Sequence, residues 1–281
     1  MRAGRAISTL ILYELRRAVA RRRIILLVAL IFLAEAGLYL VLTRLPATLT
    51  AQIQGYAWII GVLVPSTLLV HVLALTIGAS AFSEEYEMGT ADFWLTKPLT
   101  RLEYFIGKTA GSIAFTALIV TTYTSLALAL STWIFGPQQR LDLVAPTTLH
   151  TIYSALAFLF IGLAAGELLR RSMFATIIAA LGFFASLITE FYISIVTFFT
   201  PDQALADAAR LLPTWGATRL TSTYIQSQLP MLALIPTLGT APTPAFVETW
   251  QAALNIALYT AAFCAAALIR LARSDVTRRA L

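Results

Sequence analysis

Long apolar runs, broken by short polar intervals, dominate the chain from residue 24 to residue 270. A helix needs about 20 mostly apolar residues to cross a hydrocarbon layer roughly 30 Å thick. Six stretches meet that length: 24–43, 57–82, 106–133, 148–168, 173–199 and 248–270. Ahead of the first, residues 5–20 alternate with a helical period. On a helical wheel Ile7, Leu10, Ile11, Leu15 and Ala18 share one face, which Glu14 interrupts, while Arg5, Thr9 and Arg16 lie opposite. Arg21, Arg22 and Arg23 follow, where such a helix would leave the headgroups and turn into the membrane. The pattern predicts an all-α integral membrane protein forming a single domain over 1–281. An N-terminal interfacial amphipathic helix in 1–23 precedes six transmembrane helices. No internal repeat stands out.

Composition supports this picture. Charged residues make up only 12% of the chain and hydrophobic ones 59%, whereas a soluble domain carries about a quarter charged residues. The charges that remain are unevenly placed. Residues 1–23 hold seven arginines, the interval 83–108 holds Lys97, Arg101 and Lys108, a short turn holds Arg170 and Arg171, and the tail holds four more. The alternate connections keep only Arg44, Arg140, Arg210 and Arg219. Basic residues concentrate on the cytoplasmic side, so both termini are expected in the cytoplasm and the protein in the cytoplasmic membrane. The same asymmetry accounts for a pI near 9.7 through contact with membrane lipid, and no nucleic-acid partner is expected. On the other side, residues 200–247 form a long, proline-rich connection. It contains two apolar pieces too short to span, LLPTWGATRL and LPMLALIPTLG, which suit either re-entrant or interfacial helices or a plain surface loop.

Catalytic patterns are missing. Gly107-Lys108-Thr109 would need glycine at position 102 to form a phosphate-cradling loop, and Leu102 stands there. Glu84 and Glu85 lack the arginine or histidine partner on the same helix that an intramembrane protease would require. No His-Glu-x-x-His occurs. No catalytic residue, no metal site and no cofactor bound by this chain are expected. Three ionisable residues nevertheless fall inside apolar runs: Glu35, His71 and Glu190. Such groups are costly in lipid. They are candidates for a transport path or relay, or else for interhelical hydrogen bonds with one another or with a threonine. Glu167 is expected to pair with Arg170 and Arg171.

The interval 84–105 is the most informative. Residues 84–95 can continue helically off the second span, with Glu84, Glu85, Glu87 and Asp92 in solvent and Met88, Phe93, Trp94 and Leu95 free to form a surface. Pro98 breaks the helix, and Thr100 with Glu103 three residues later forms a capping box that opens the third span. Aromatic residues interleaved with charges at a membrane rim suit a partner interface.

Glu85, Glu87, Gly89, Thr90, Leu95, Pro98, Arg101, Gly107 and Lys108 keep a spacing that resembles the segment between the second and third spans of type-two ATP-binding-cassette (ABC) exporter permeases. The six-span layout, with a long outer connection before the last span, is loosely similar over nearly the whole chain. The resemblance implies a permease subunit whose cytoplasmic coupling helix seats in a separate ABC ATPase subunit. It further implies a dimer with a second permease copy or a relative, with ATP and Mg bound on the ATPase partner. On that resemblance Glu84, Glu85, Glu87, Gly89, Thr90, Phe93, Trp94, Leu95, Pro98 and Arg101 form the docking segment. Phe93, Trp94 and Leu95 supply apolar contact, and Gly89 permits a tight bend. Ala91-Asp92 and Trp94 depart from the glutamate and leucines that relatives often carry. Two other readings stand beside it: an ATP-driven scaffold acting on an extracytoplasmic partner through 200–247, and a proton-coupled secondary transporter with Glu35 and Glu190 as carriers.

Overall fold

The computed structural model describes residues 2–91, 94, 99–200, 202–229 and 248–273. Ten α-helices lie within them: α1 Arg2–Ala20, α2 Arg22–Leu42, α3 Ala47–Ile53, α4 Ala57–Glu87, α5 Arg101–Phe135, α6 Val144–Leu169, α7 Ser172–Phe199, α8 Gln203–Ala209, α9 Pro213–Gln228 and α10 Thr249–Arg273. Six of the helical segments, those containing α2, α4, α5, α6, α7 and α10, are long and apolar enough to cross a membrane. They coincide with the six apolar runs, with ends that differ by a few residues.

α4 is the most enclosed of the six and α10 the least. α4 and α6 form the centre, and glycine sets their distance. A Cβ on Gly78 would stand 2.0 Å from the carbonyl oxygen of Leu159, one on Gly162 2.2 Å from that of Leu75, and one on Gly166 2.4 Å from that of Ala79. No side chain fits at any of the three positions. In lipid, where water does not drive helices together, such backbone-to-backbone approach supplies the dispersion contact that holds a bundle. The remaining spans present large apolar side chains outward, including Leu26, Leu33 and Leu40 of α2 and Leu181, Ile188 and Phe191 of α7.

α1 does not stand apart. It packs along the start of α5 through the same device: a Cβ on Gly107 would meet Leu10 Cβ at 2.6 Å, and one on Gly111 would meet Glu14 Cβ at 2.7 Å. Leu10, Glu14 and Ala18, one helical turn apart, form the buried face of α1.

At the opposite end, α9 is wedged among the spans. Trp215, Ala217, Leu220 and Ile225 are buried, and Gly216 lies against Asn255 and the Ala252 carbonyl of α10. Asn255 Nδ2 donates to the carbonyls of Arg210 and Leu212, fastening the α8–α9 joint to α10. Ser186 of α7 and Thr214 share a hydroxyl bond of 2.7 Å, and Pro213 opens the helix where its missing N–H costs nothing. The apolar piece LLPTWGATRL is therefore part of the bundle and not a surface loop. LPMLALIPTLG lies outside the described residues apart from Leu229.

Candidate functional site: a buried charge clamp at the rim

The helix of the second span runs past residue 82 but stops short of residue 95. α4 stops at Glu87, because Gly89 adopts φ +66°, a left-handed conformation that only glycine takes without strain. Thr90 N–H then donates to the Glu85 carbonyl at 2.9 Å and Gly89 N–H to that of Tyr86 at 3.3 Å. These are the two bonds of a Schellman cap. The helix expected over 84–95 is thus two pieces with a bend between them. Ala91 and Trp94 are helical again after the bend. On the far side the capping box forms as the sequence predicts: Glu103 N–H donates to Thr100 Oγ1 at 3.1 Å, and Thr100 N–H donates to Glu103 Oε2 at 2.8 Å.

Just inside the bend, three helices bring six charges together. Glu14, Arg17 and Arg21 come from α1 and its end, Glu84 and Glu85 from α4, and Lys108 from α5. Lys108 Nζ lies 2.5 Å from Glu14 Oε2 and 2.8 Å from Glu85 Oε1. Arg17 bridges Glu85 at 2.8 Å and Glu84 at 3.1 Å, and Arg21 bridges Glu84 at 2.7 Å and Glu14 at 3.0 Å. Tyr104 donates its hydroxyl to Glu85 Oε2. Glu14, Glu85 and Lys108 are wholly buried. Three carboxylates face three cations, so the cluster closes with no net charge, the condition under which buried ions are tolerated. Burial alone would raise the Glu14 pKa, but Lys108, Arg21 and Arg17 outweigh it and hold the carboxyl below its usual range.

This geometry corrects the expectation that Glu84 and Glu85 stand in solvent. Glu85 faces inward to Lys108, Arg17 and Tyr104, and Glu84 is held by two arginines; neither stands free in solvent. Glu87 does reach the surface, and its Oε1 accepts the Ser172 N–H at the start of α7, 3.0 Å away. Gly89 is exposed, and Thr90 is partly so. Trp94 packs its ring 5.0 Å from that of Tyr13 on α1. Arg101 Nη1 donates to the carbonyls of Leu271 and Ala272, capping the end of α10. Phe93, Leu95 and Pro98, like Asp92, lie outside the described residues. Sequence reasoning missed the roles of Glu14, Arg17, Arg21 and Lys108. The available signal was a glutamate in the middle of the apolar face of α1, a position that demands a buried cation.

The sequence profile of the ABC-2 family transporter proteins matches residues 8–276, nearly the whole chain. The chain belongs to the ABC-2 transporter family. No curated protein matches it. The protein is accordingly an integral membrane subunit of an ABC transporter, a transport component from a family that works with a partnering ATPase subunit.

Within this ABC-2 subunit the three ionisable residues of the apolar runs do not meet one another. Glu190 of α7 is paired with Arg219 of α9 at 3.1 Å, both buried. The partner is thus an arginine of the connection between the fifth and sixth spans, neither His71 nor a threonine. His71 sits on α4 between the rings of Phe158 and Phe183, with Nε2 3.3 Å from Ser154 Oγ and Nδ1 3.2 Å from the Thr67 carbonyl. Glu35 on α2 is fully buried, and neither carboxyl oxygen has a hydrogen-bond partner among the described residues. Glu167 accepts from the Tyr86 hydroxyl with both oxygens, at 3.0 and 2.9 Å. Arg170 stacks on the Tyr86 ring and stands near enough to Glu167 to act on its charge.

Proposed function

We propose that this chain is the permease half of an ATP-driven exporter, and that the segment from Glu87 to Arg101 seats in a cytoplasmic ATPase subunit. Two permeases and two ATPases, the latter holding ATP and Mg, make up the working unit, with both permease termini in the cytoplasm. The observation that carries this reading is the anchoring of the segment at both ends. On one side it leaves α4 beside the charge clamp, which ties α4 to α1 and α5. On the other it enters α5 through the capping box, where Arg101 caps α10. A displacement of this segment by a partner is therefore delivered to four helices at once. A two-state bundle biased by the binding energy of a partner needs such a rigid input.

Met88 and Leu102, both more than half exposed, flank the segment and extend the apolar contact expected of Phe93 and Leu95. Trp94, set against Tyr13, holds the segment to α1. The separation of Glu35, His71 and Glu190 leaves a proton relay with little support.

The test is purification from native membranes in mild detergent, with mass spectrometry of what accompanies the protein. A stoichiometric soluble subunit with a Gly-x-x-x-x-Gly-Lys-Ser/Thr loop is the expected companion. The variant Phe93→Ser, Trp94→Ser, Leu95→Ser is expected to insert normally and lose that companion. Retention of ATPase binding and transport in the variant would overturn the docking assignment.

A further inference from the structure

The run Arg21-Arg22-Arg23 does more than mark the start of a span. It lines a pocket of about 230 Å³ between the α1–α2 junction, α4 and α7, floored by Thr76 and Ser80 and walled by Ser172 and Thr176. We propose that this pocket binds a phosphate-bearing anion, either the headgroup of an anionic phospholipid or a soluble phosphate. The inference does not depend on the ATPase reading, although Glu87 borders both the pocket and the proposed docking segment.

Three observations converge. The first is an orphaned donor. Arg21 is nine-tenths buried, and its Nε and Nη2 are engaged with Glu84, Glu14 and the Ser80 carbonyl. Its Nη1 is buried and has no acceptor among the described residues. A guanidinium locked on one edge with its remaining amino group unsatisfied wants an oxygen ligand, and its planar fork suits phosphate. The second is a helix start. α2 begins at Arg22 without a side-chain cap, and the backbone N–H groups of Arg22, Arg23 and Ile24 have no acceptor among the described residues. Uncapped N–H groups at the positive end of a helix dipole complement an anion. The third is charge. Arg22 and Arg23 are exposed and have no ion-pair partner among the described residues, whereas the two carboxylates at the pocket are already occupied. Glu84 is divided between Arg17 and Arg21, and Glu87 caps the Ser172 N–H. The clamp is neutral without Arg22 and Arg23, so their two charges exceed the one negative charge of Glu87.

Two exposed arginines can be changed without touching the clamp. The full-length protein is placed in phosphatidylcholine nanodiscs with and without phosphatidylglycerol, and the retained lipid is counted by native mass spectrometry. In parallel, thermal unfolding in a neutral detergent is followed with and without millimolar inorganic phosphate. The wild type is expected to retain phosphatidylglycerol in preference to phosphatidylcholine. R22Q/R23Q should weaken that retention about tenfold for each charge-assisted contact removed. T176F, which fills the pocket wall and leaves every charge in place, should also abolish it. Stabilisation of the wild type by inorganic phosphate, lost in both variants, would identify a soluble phosphate as the occupant. Retention of phosphatidylglycerol without a phosphate effect would identify lipid. If neither probe distinguishes the wild type from both variants, the pocket is not an anion site and the proposal fails.

Discussion

Replacing Lys108 with methionine isolates the charge balance of the clamp. Methionine keeps most of the apolar stem, so the change removes a charge more than it opens a cavity. In the wild type three carboxylates meet three cations; in K108M two arginines remain for three carboxylates. Glu85 keeps Arg17 at 2.8 Å and the Tyr104 hydroxyl, and Glu14 keeps Arg21 at 3.0 Å. The loss therefore falls toward the lower end of that for breaking a buried ion pair, about 3 kcal/mol. That corresponds to a drop of roughly 6–12 °C in a thermal melt, followed by tryptophan fluorescence in detergent. E14Q alone leaves an excess cation and should cost a similar amount. The double variant E14Q/K108M restores neutrality and should be more stable than the two single losses add up to, by at least about 1 kcal/mol of coupling. Strict additivity in that cycle would refute the argument that charge balance holds the three helices together.

Three further outcomes follow from the geometry. Gly162→Ala puts a methyl group where the Leu75 carbonyl lies 2.2 Å away and should sharply lower the yield of monodisperse protein on size-exclusion chromatography. Gly182→Ala, with nothing within 4 Å of its Cβ, should leave the yield unchanged. Because the Glu14 pKa is lowered in the folded state from an ordinary 4.5, its contribution is complete at neutral pH. It fades as pH falls below that value, so the acid limb of a stability–pH profile should flatten in E14Q. Arg219→Met strands Glu190 inside the bundle and should cost about 3 kcal/mol in the same melting assay; adding Glu190→Gln should recover part of it.

The six spans and the capping box at Thr100 were legible because each depends on a local rule, run length in one case and an i to i+3 pair in the other. The bend at Gly89, by contrast, followed only from the family resemblance, and it interrupts the helix that periodicity carried on to residue 95. The clamp was not. Glu14 lies far in sequence from Lys108, and only the docking of α1 on Gly107 and Gly111 makes them neighbours. The same limit applies to Glu190, whose partner sits in a segment that composition read as a connection. Glu84 and Glu85 were misplaced for a related reason. A charge run is usually solvated, and one turn of helix decides whether it faces water or a cation supplied by another helix. Gly162 and Gly166 form a G-x-x-x-G spacing, and both lie against the backbone of α4.

The clamp also imposes an order on biosynthesis. Glu14 and Lys108 are separated by 94 positions, which at roughly 5–20 residues per second takes a ribosome about 5–20 s to cover. Throughout that interval the first helix lacks the helix it packs on, and its carboxylate is accompanied only by the arginines of its own stretch of chain. It can dock only after the third span has been delivered. A polypeptide halted before that point carries an unseated N-terminal helix, and it is thereby distinguishable, by exposure alone, from one that has been completed.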